Sequence, residues 1–242
     1  MLRLIAVPYH LGRKSIAVGA GPSRVIDTGI ASRIGAGSVS IDIGPQGSWQ
    51  EVNTALTNAV RSAREAGCFP LLLAGNCNSC LGTLAAIQHP EAGIVWFDAH
   101  GDFHTQETTI SGSLEGMSLA LATSFVAENR IVLAGGWNLD PGEAERVKSR
   151  LLHIPSADLD SAALPDMHSA YVHVDIDVLD PGGGVSAEDL FTALRRSFER
   201  YRVAALAITN YNPERDQQNR TRDIIVSIIE HVHGLRRSNT SR

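Results

Sequence analysis

IVWFDAHGD, residues 94–102, is a short apolar run that ends abruptly in Asp98, His100 and Asp102. Alternate side chains of an extended chain share a face, so a strand here sends these three the same way at its end. Two carboxylates and an imidazole crowded at one strand terminus repel one another and lose solvation unless a cation sits among them. A divalent metal is the natural occupant. The plainer alternative is a strand end that turns polar where it meets water.

A second stretch, AYVHVDIDVLDP at 170–181, weakens that alternative. Asp175 and Asp177 alternate on one face of a strand otherwise rich in Val and Ile. A central strand does not bury two carboxylates without a partner. Two strands that each offer acids at the carboxyl end point to one shared site with two metals. His173, one pleat deeper than Asp175, reads as a satisfied core histidine.

Outward from these motifs, strands read at 2–7, 38–43, 70–74, 94–97, 130–134, 151–154, 171–176 and 204–209. Helical patterns fit 22–32, 49–65, 80–88, 116–127, 141–150, 186–200 and 222–234. Strand alternating with helix implies a mainly parallel sheet covered on both faces, a doubly wound three-layer α/β/α sandwich. Such sheets carry their sites at the carboxyl ends of strands, where both acid clusters lie. Nothing between the periodic segments resembles a linker, so residues 1–242 read as one domain. Pro181–Gly184, PGGG, is the one compositional oddity, and Ser186 follows it as an N-cap.

The composition, 43% hydrophobic and 19% charged, is that of a globular protein. A net charge of −5 leaves no basic footprint for nucleic acid. No apolar run is long enough to span a bilayer. The opening MLRLIAVPYH has too short an apolar core for a signal peptide and reads as a first strand. Cys68, Cys77 and Cys80 make no disulfide framework, and the expected compartment is the cytoplasm.

Two smaller features remain. Gly19–Pro22, GAGP, lacks the spacing and the Lys of a phosphate loop and reads as a turn with Pro at a helix start. Gly75–Gly82, GNCNSCLG, sits at a strand–helix junction. Its CxxC is open to three readings: a redox pair, plain core cysteines, or Cys77 as a metal ligand.

The order of the motifs resembles that of the arginase family of ureohydrolases. DAHGD at 98–102 is followed by SGSLEG at 111–116, NLDPGE at 138–143, DIDVLDP at 175–181 and NYNP at 210–213. The resemblance covers nearly the whole chain, and its two Asp-rich motifs are the specific ones. It implies an eight-stranded parallel sheet and a site with two Mn2+ ions, where hydroxide attacks the guanidino carbon of a small guanidino amino acid. By position, Asp98, His100, Asp102, Asp175 and Asp177 resemble metal ligands, with Asp98 and Asp175 as the bridging carboxylates. Asp102 also resembles the residue that passes a proton to the leaving amine. Ser111 and Asp140 resemble residues near the α-carboxylate and α-amino ends of the substrate. His104 stands where the family often has Asn.

The departures matter as much. The family's GGDHS segment supplies a histidine ligand; GNCNS here offers Cys77 or, in another register, Asn78. A thiolate is the better ligand, so Cys77 is preferred. Glu115 stands in place of the proton-relay histidine, and Asn210 in place of the Glu that pairs with the guanidinium. The loop after Asp180 is shorter than usual. This pattern resembles the branch of arginase-like amidinohydrolases that cleaves Nω-hydroxy-L-arginine to hydroxyurea and L-ornithine in D-cycloserine biosynthesis. Another ureohydrolase, acting on arginine or agmatine, and a non-catalytic metal-binding homologue are the alternatives. The family's trimers use a C-terminal extension; this chain ends soon after its last helix, and a monomer is expected.

Overall fold

The computed structural model describes residues 1–179 and 184–239. In chain order the elements begin with β1 (Leu2–Val7), β2 (Tyr9–His10), β3 (Arg13–Lys14), α1 (Gly21–Ile26), α2 (Ile30–Arg33), β4 (Gly37–Ser40) and α3 (Trp49–Glu65). They continue with β5 (Phe69–Ala74), α4 (Cys80–Ile87), β6 (Ala92–Asp98), α5 (Ser118–Ala122), β7 (Ile131–Gly135) and α6 (Pro141–Arg150). Last come β8 (Leu152–Ile154), β9 (Ser169–Asp175), α7 (Ala187–Arg200), β10 (Val203–Thr209) and α8 (Arg220–Asn239). Every strand expected from the sequence is present. The two-residue β2 and β3, an antiparallel pair, were too short to read.

The chain forms two compact units. One comprises Met1–Ala86 and Ala205–Arg242. Its strands run parallel in the order β4–β1–β5–β10. β5 is buried throughout, as a continuous apolar run covered on both faces should be. α3 packs on β1 and β5 through a stripe of Val52, Leu56, Val60 and Ala63 at helical spacing. A capping box starts it: Ser48 Oγ accepts the Glu51 N–H at 3.1 Å, and Glu51 Oε2 accepts the Ser48 N–H at 2.7 Å.

The other unit is Ile87–Ala204, with parallel strands in the order β9–β6–β7–β8. β6, β7 and β9 are buried along their whole length. Ser186 caps α7 by accepting the Asp189 N–H at 3.1 Å, as its position after the glycines suggested. Residues 180–183, which hold most of the PGGG segment and the short loop after Asp180, lie outside the described residues.

Three expectations are corrected. The helix read at 22–32 is two helices, because Gly29 adopts φ 76° and interrupts it. The helix read at 116–127 is shorter: a 3-10 turn at Glu115–Met117 leads into α5, which stops at Ala122. There Thr123 and Ser124 hydroxyls bond the carbonyls of Ala120 and Leu121, at 2.7 and 2.8 Å, in competition with the helix. Asp177 is not on a strand; β9 ends at Asp175 and a 3-10 turn runs Ile176–Leu179. No helix among the described residues is long and apolar enough to cross a membrane.

Candidate metal centre

Both acid motifs end a strand in the same way. Asp98 is the last residue of β6, and its Oδ1 accepts the N–H of His100 at 2.7 Å. Asp175 is the last residue of β9, and its Oδ1 accepts the N–H of Asp177 at 3.0 Å. An aspartate that bonds the backbone two residues on turns the chain and ends the strand. The turn throws His100 and Asp177 towards one another. His100 Nδ1 lies 3.0 Å from Asp177 Oδ2 and 3.5 Å from Asp98 Oδ1. Asp177 Oδ1 in turn accepts the N–H of Ala99 at 3.1 Å, which ties the two turns together. One ligand atom from each of Asp98, His100 and Asp177 lies within 4.8 Å of the others.

Burial and like charge set the electrostatics of this arrangement. Asp98, at 1% exposure, has its carboxyl pushed up to about 6 by burial, against the pull of hydrogen bonds from His100 and Trp96. Asp102 is held well above the usual carboxylate range by burial and by the charges of Asp98, Asp175 and Asp177. Burial works the same way on Asp177, but its bond to His100 holds it below the usual value. The hydrogen bonds to Asp177 and Asp98 push His100 up to about 11. An imidazolium is therefore the cation that holds the carboxylates together when nothing else does. Carboxylate oxygens in excess, with one imidazole nitrogen, form a donor set suited to a hard divalent ion. Such an ion would take the place of the Nδ1 proton.

Further contacts fix these side chains. The Trp96 indole N–H donates to Asp98 Oδ2 at 2.9 Å. The Asn138 amide lies 3.2 Å from His100 Nε2 and so holds the ring with Nδ1 towards the acids. His173 is buried, bonded through Nδ1 to the Tyr171 hydroxyl at 2.9 Å and stacked 3.5 Å from Trp96. Burial depresses it to about 3, so it is the neutral core histidine its position suggested. Asp102 sits in the left-handed region at φ 48°, just past the turn. Beside it, His104 Nε2 is 3.2 Å from Asp140 Oδ2, which joins two of the residues expected at the substrate's amino-acid end. Ser111 is exposed and accepts the Ser113 N–H at 3.1 Å. Glu115 is half-buried at the head of its 3-10 turn.

Residues 16–234 match the arginase family. The chain belongs to the arginase family. Its members are hydrolases that act on guanidino groups and depend on a binuclear metal centre. The chain is 25% identical to the arginase of Bacillus caldovelox, over 96% of this chain and 98% of that one. That alignment runs over 292 positions although this chain has 242 residues, so the relative carries segments absent here. The structure is similar to the crystal structure of arginase from Bacillus subtilis, with a TM-score of 0.85 at 24% identity, covering 97% and 98% of the two chains. It is also similar to Entamoeba histolytica arginase in complex with L-ornithine, with a TM-score of 0.83 at 21% identity, covering 96% and 97%. The expected α/β fold with eight mainly parallel strands is the fold of this chain.

Within this arginase-family chain, the departures read from the sequence have a structural form. Cys77 opens a 3-10 turn directly after β5 and is fully buried. Its Sγ lies 3.3 Å from Thr209 Oγ1 and accepts from Asn210 Nδ2 at 3.4 Å. Two residues flagged separately in the sequence, Cys77 and Asn210, are thus partners. All three cysteines are free thiols, Cys80 being buried at the start of α4. Sequence reading missed Trp96, Asn138 and Glu143. The spacing of Trp96, two residues before Asp98 on the same strand face, was the available signal for the first.

Proposed function

We propose that the chain is a binuclear-manganese amidinohydrolase that cleaves Nω-hydroxy-L-arginine to hydroxyurea and L-ornithine. The carrying observation is the convergence of Asp98, His100 and Asp177 on one point, with Asp102 and Asp175 buried beside them in a cluster that repels itself. Asp98, His100, Asp102, Asp175, Asp177 and Cys77 would hold the ions. When bound, two such ions would lower the pKa of a bound water towards neutrality and polarise the guanidino group. Asp102 takes the proton of the nucleophile and delivers it to the departing ornithine amine. Glu115, half-buried in place of the relay histidine, would carry to solvent the proton lost by the next water as the hydroxide is regenerated. Asp140 accepts from the substrate ammonium, and His104 and Ser111 meet its carboxylate; the His104–Asp140 contact supports their acting as one patch. A family match that runs through both units supports one catalytic domain. We place it in the cytoplasm, which suits its three unbridged cysteines, and take it to act as a monomer.

The substrate assignment rests on charge. Arginine's guanidinium keeps its proton at any accessible pH. Binding it beside two metal ions needs compensating negative charge. Asn210 brings none, and its amide is turned to the Cys77 sulfur. An N-hydroxyguanidine is less basic, because its oxygen withdraws electron density, and its hydroxyl adds a group to hydrogen-bond. A site built around such a group rejects the analogue that lacks it. On one manganese-loaded preparation, kcat/KM is expected to favour Nω-hydroxy-L-arginine over L-arginine, with hydroxyurea as product. Equal or greater efficiency with L-arginine would overturn the substrate and leave an arginase, the second reading, which the arginases among its relatives favour.

The cysteine assignment has its own test. Cys77→Ser is expected to weaken metal binding at one of the two positions, and Cys80→Ala to leave metal content unchanged. Identical metal content in both variants contradicts a ligand role for Cys77.

A further inference from the structure

Helix α6 carries Glu143 and Arg146 three residues apart, on one face. Glu143 is 4% exposed. Its Oε1 accepts the backbone N–H of Phe103 at 2.9 Å. Arg146 Nε donates to the carbonyl of the same Phe103 at 3.3 Å, and its guanidinium lies 5.2 Å from the centre of the Phe103 ring. One helix therefore holds both polar groups of a single backbone residue. Gly101 makes this possible: a Cβ there would lie 2.6 Å from Glu143 Cδ and Oε1.

Between Gly101 and Phe103 stands Asp102. Its left-handed backbone, φ 48°, is uncommon for a residue with a side chain and persists only where the surroundings dictate it. The Asp102 carbonyl accepts the N–H groups of Leu119 and Ala120 at 2.9 and 3.1 Å, which fixes one side. The α6 grip on Phe103 fixes the other. We propose that Glu143, aided by Arg146, is a positioning residue that sets the Asp102 carboxylate in the metal centre. The proposal rests on the reading of Asp102 as a metal ligand. With the acceptor gone, the Phe103 N–H is left buried and unpaired. Asp102 then relaxes towards negative φ, and its carboxylate swings away from Asp98 and Asp175. The competing role is recognition of the substrate's ammonium, since Glu143 Oε2 faces the His104 ring at 4.0 Å, on the Asp140 side.

Manganese titration followed by the EPR signal of free Mn2+, with melting of each metal-free protein and separate kcat and KM, tells these apart. Glu143→Ala is expected to bind manganese roughly 10–100-fold more weakly, the range for groups that orient ligands. Its kcat falls with KM little changed. Glu143→Gln keeps an acceptor oxygen for Phe103 and is expected to restore most of the affinity. Gly101→Ala, which pushes the carboxylate away without removing it, should mimic Glu143→Ala, and it decides the matter if Glu143→Ala does not fold. Wild-type manganese affinity in Glu143→Ala or in a folded Gly101→Ala, with the loss confined to KM, overturns the proposal. So does Glu143→Gln as weak as Glu143→Ala, because charge and not the acceptor would then matter. Asp102→Asn separates the two readings. If it binds manganese like wild type, the ligand reading falls and the positioning role with it. If it binds weakly while Glu143→Ala does not, only the positioning role falls.

Discussion

Asp102→Asn is expected to lower kcat by roughly 10²–10⁴-fold, the loss typical of removing a positioned acid–base group. The same exchange is expected to raise the melting temperature of the metal-free protein at pH 8. Asparagine is the near-isosteric choice, and it tolerates the left-handed backbone that Asp102 adopts. Asp102 is buried among carboxylates, and its pKa is raised in the folded state. A carboxyl whose folded pKa lies above its unfolded value binds more protons folded than unfolded. It therefore begins to cost stability as pH rises through the unfolded value near 4, and the cost is complete once pH exceeds the folded value. Asparagine carries no such cost. Its advantage should be present at pH 8, shrink as pH falls, and disappear near pH 4. Thermal melts across that range on metal-free wild type and variant check the sign. A variant less stable than wild type at pH 8 contradicts the picture of a strained anionic cluster. Such a trade of stability for function is usual where like charges are gathered to bind a cation.

Trp96→Phe carries the second large effect. Trp96 is fully buried, stacks on His173 across the β6–β9 register, and gives its indole N–H to Asp98 Oδ2. Phenylalanine keeps an aromatic surface against His173 and removes the donor. Asp98 then loses one of the bonds that hold its carboxyl down, so its pKa rises above the present value of about 6. Metal affinity is expected to fall roughly 10–100-fold, as for other groups that orient metal ligands. The pH at which half the metal is bound should also move upward, since the ligand must be ionised. Manganese titrations at several pH values read both. Unchanged affinity and midpoint would mean that the indole only fills space.

The sheet was legible because its strands are unbroken apolar runs, and β5, β6, β7 and β9 are buried throughout. The acid cluster was legible because carboxylates at the ends of such apolar runs stand out from the buried strands around them. The turns were less so. A strand continuing to Asp177 fits the alternation, but the Asp175 side chain takes the Asp177 N–H and ends the strand first. The helix at 22–32 keeps its periodicity through Gly29, and only the positive φ there shows the break. Glu143 was overlooked because an acid in the first turn of a helix reads as a solvated residue suited to the helix dipole. Its burial depends on Gly101 lying opposite, a packing fact that no local pattern records. The link between Cys77 and Asn210, far apart in sequence, likewise needed the parallel pairing of β5 with β10.

The most direct measurement takes one metal-free preparation, loads it with manganese, and follows ions bound per chain together with ornithine released from Nω-hydroxy-L-arginine. The account predicts two ions per chain, ornithine release only in the loaded protein, and loss of both in Asp98→Asn. Ornithine release that persists without metal, or a chain that takes up one ion or none while Asp98→Asn behaves as wild type, would contradict it.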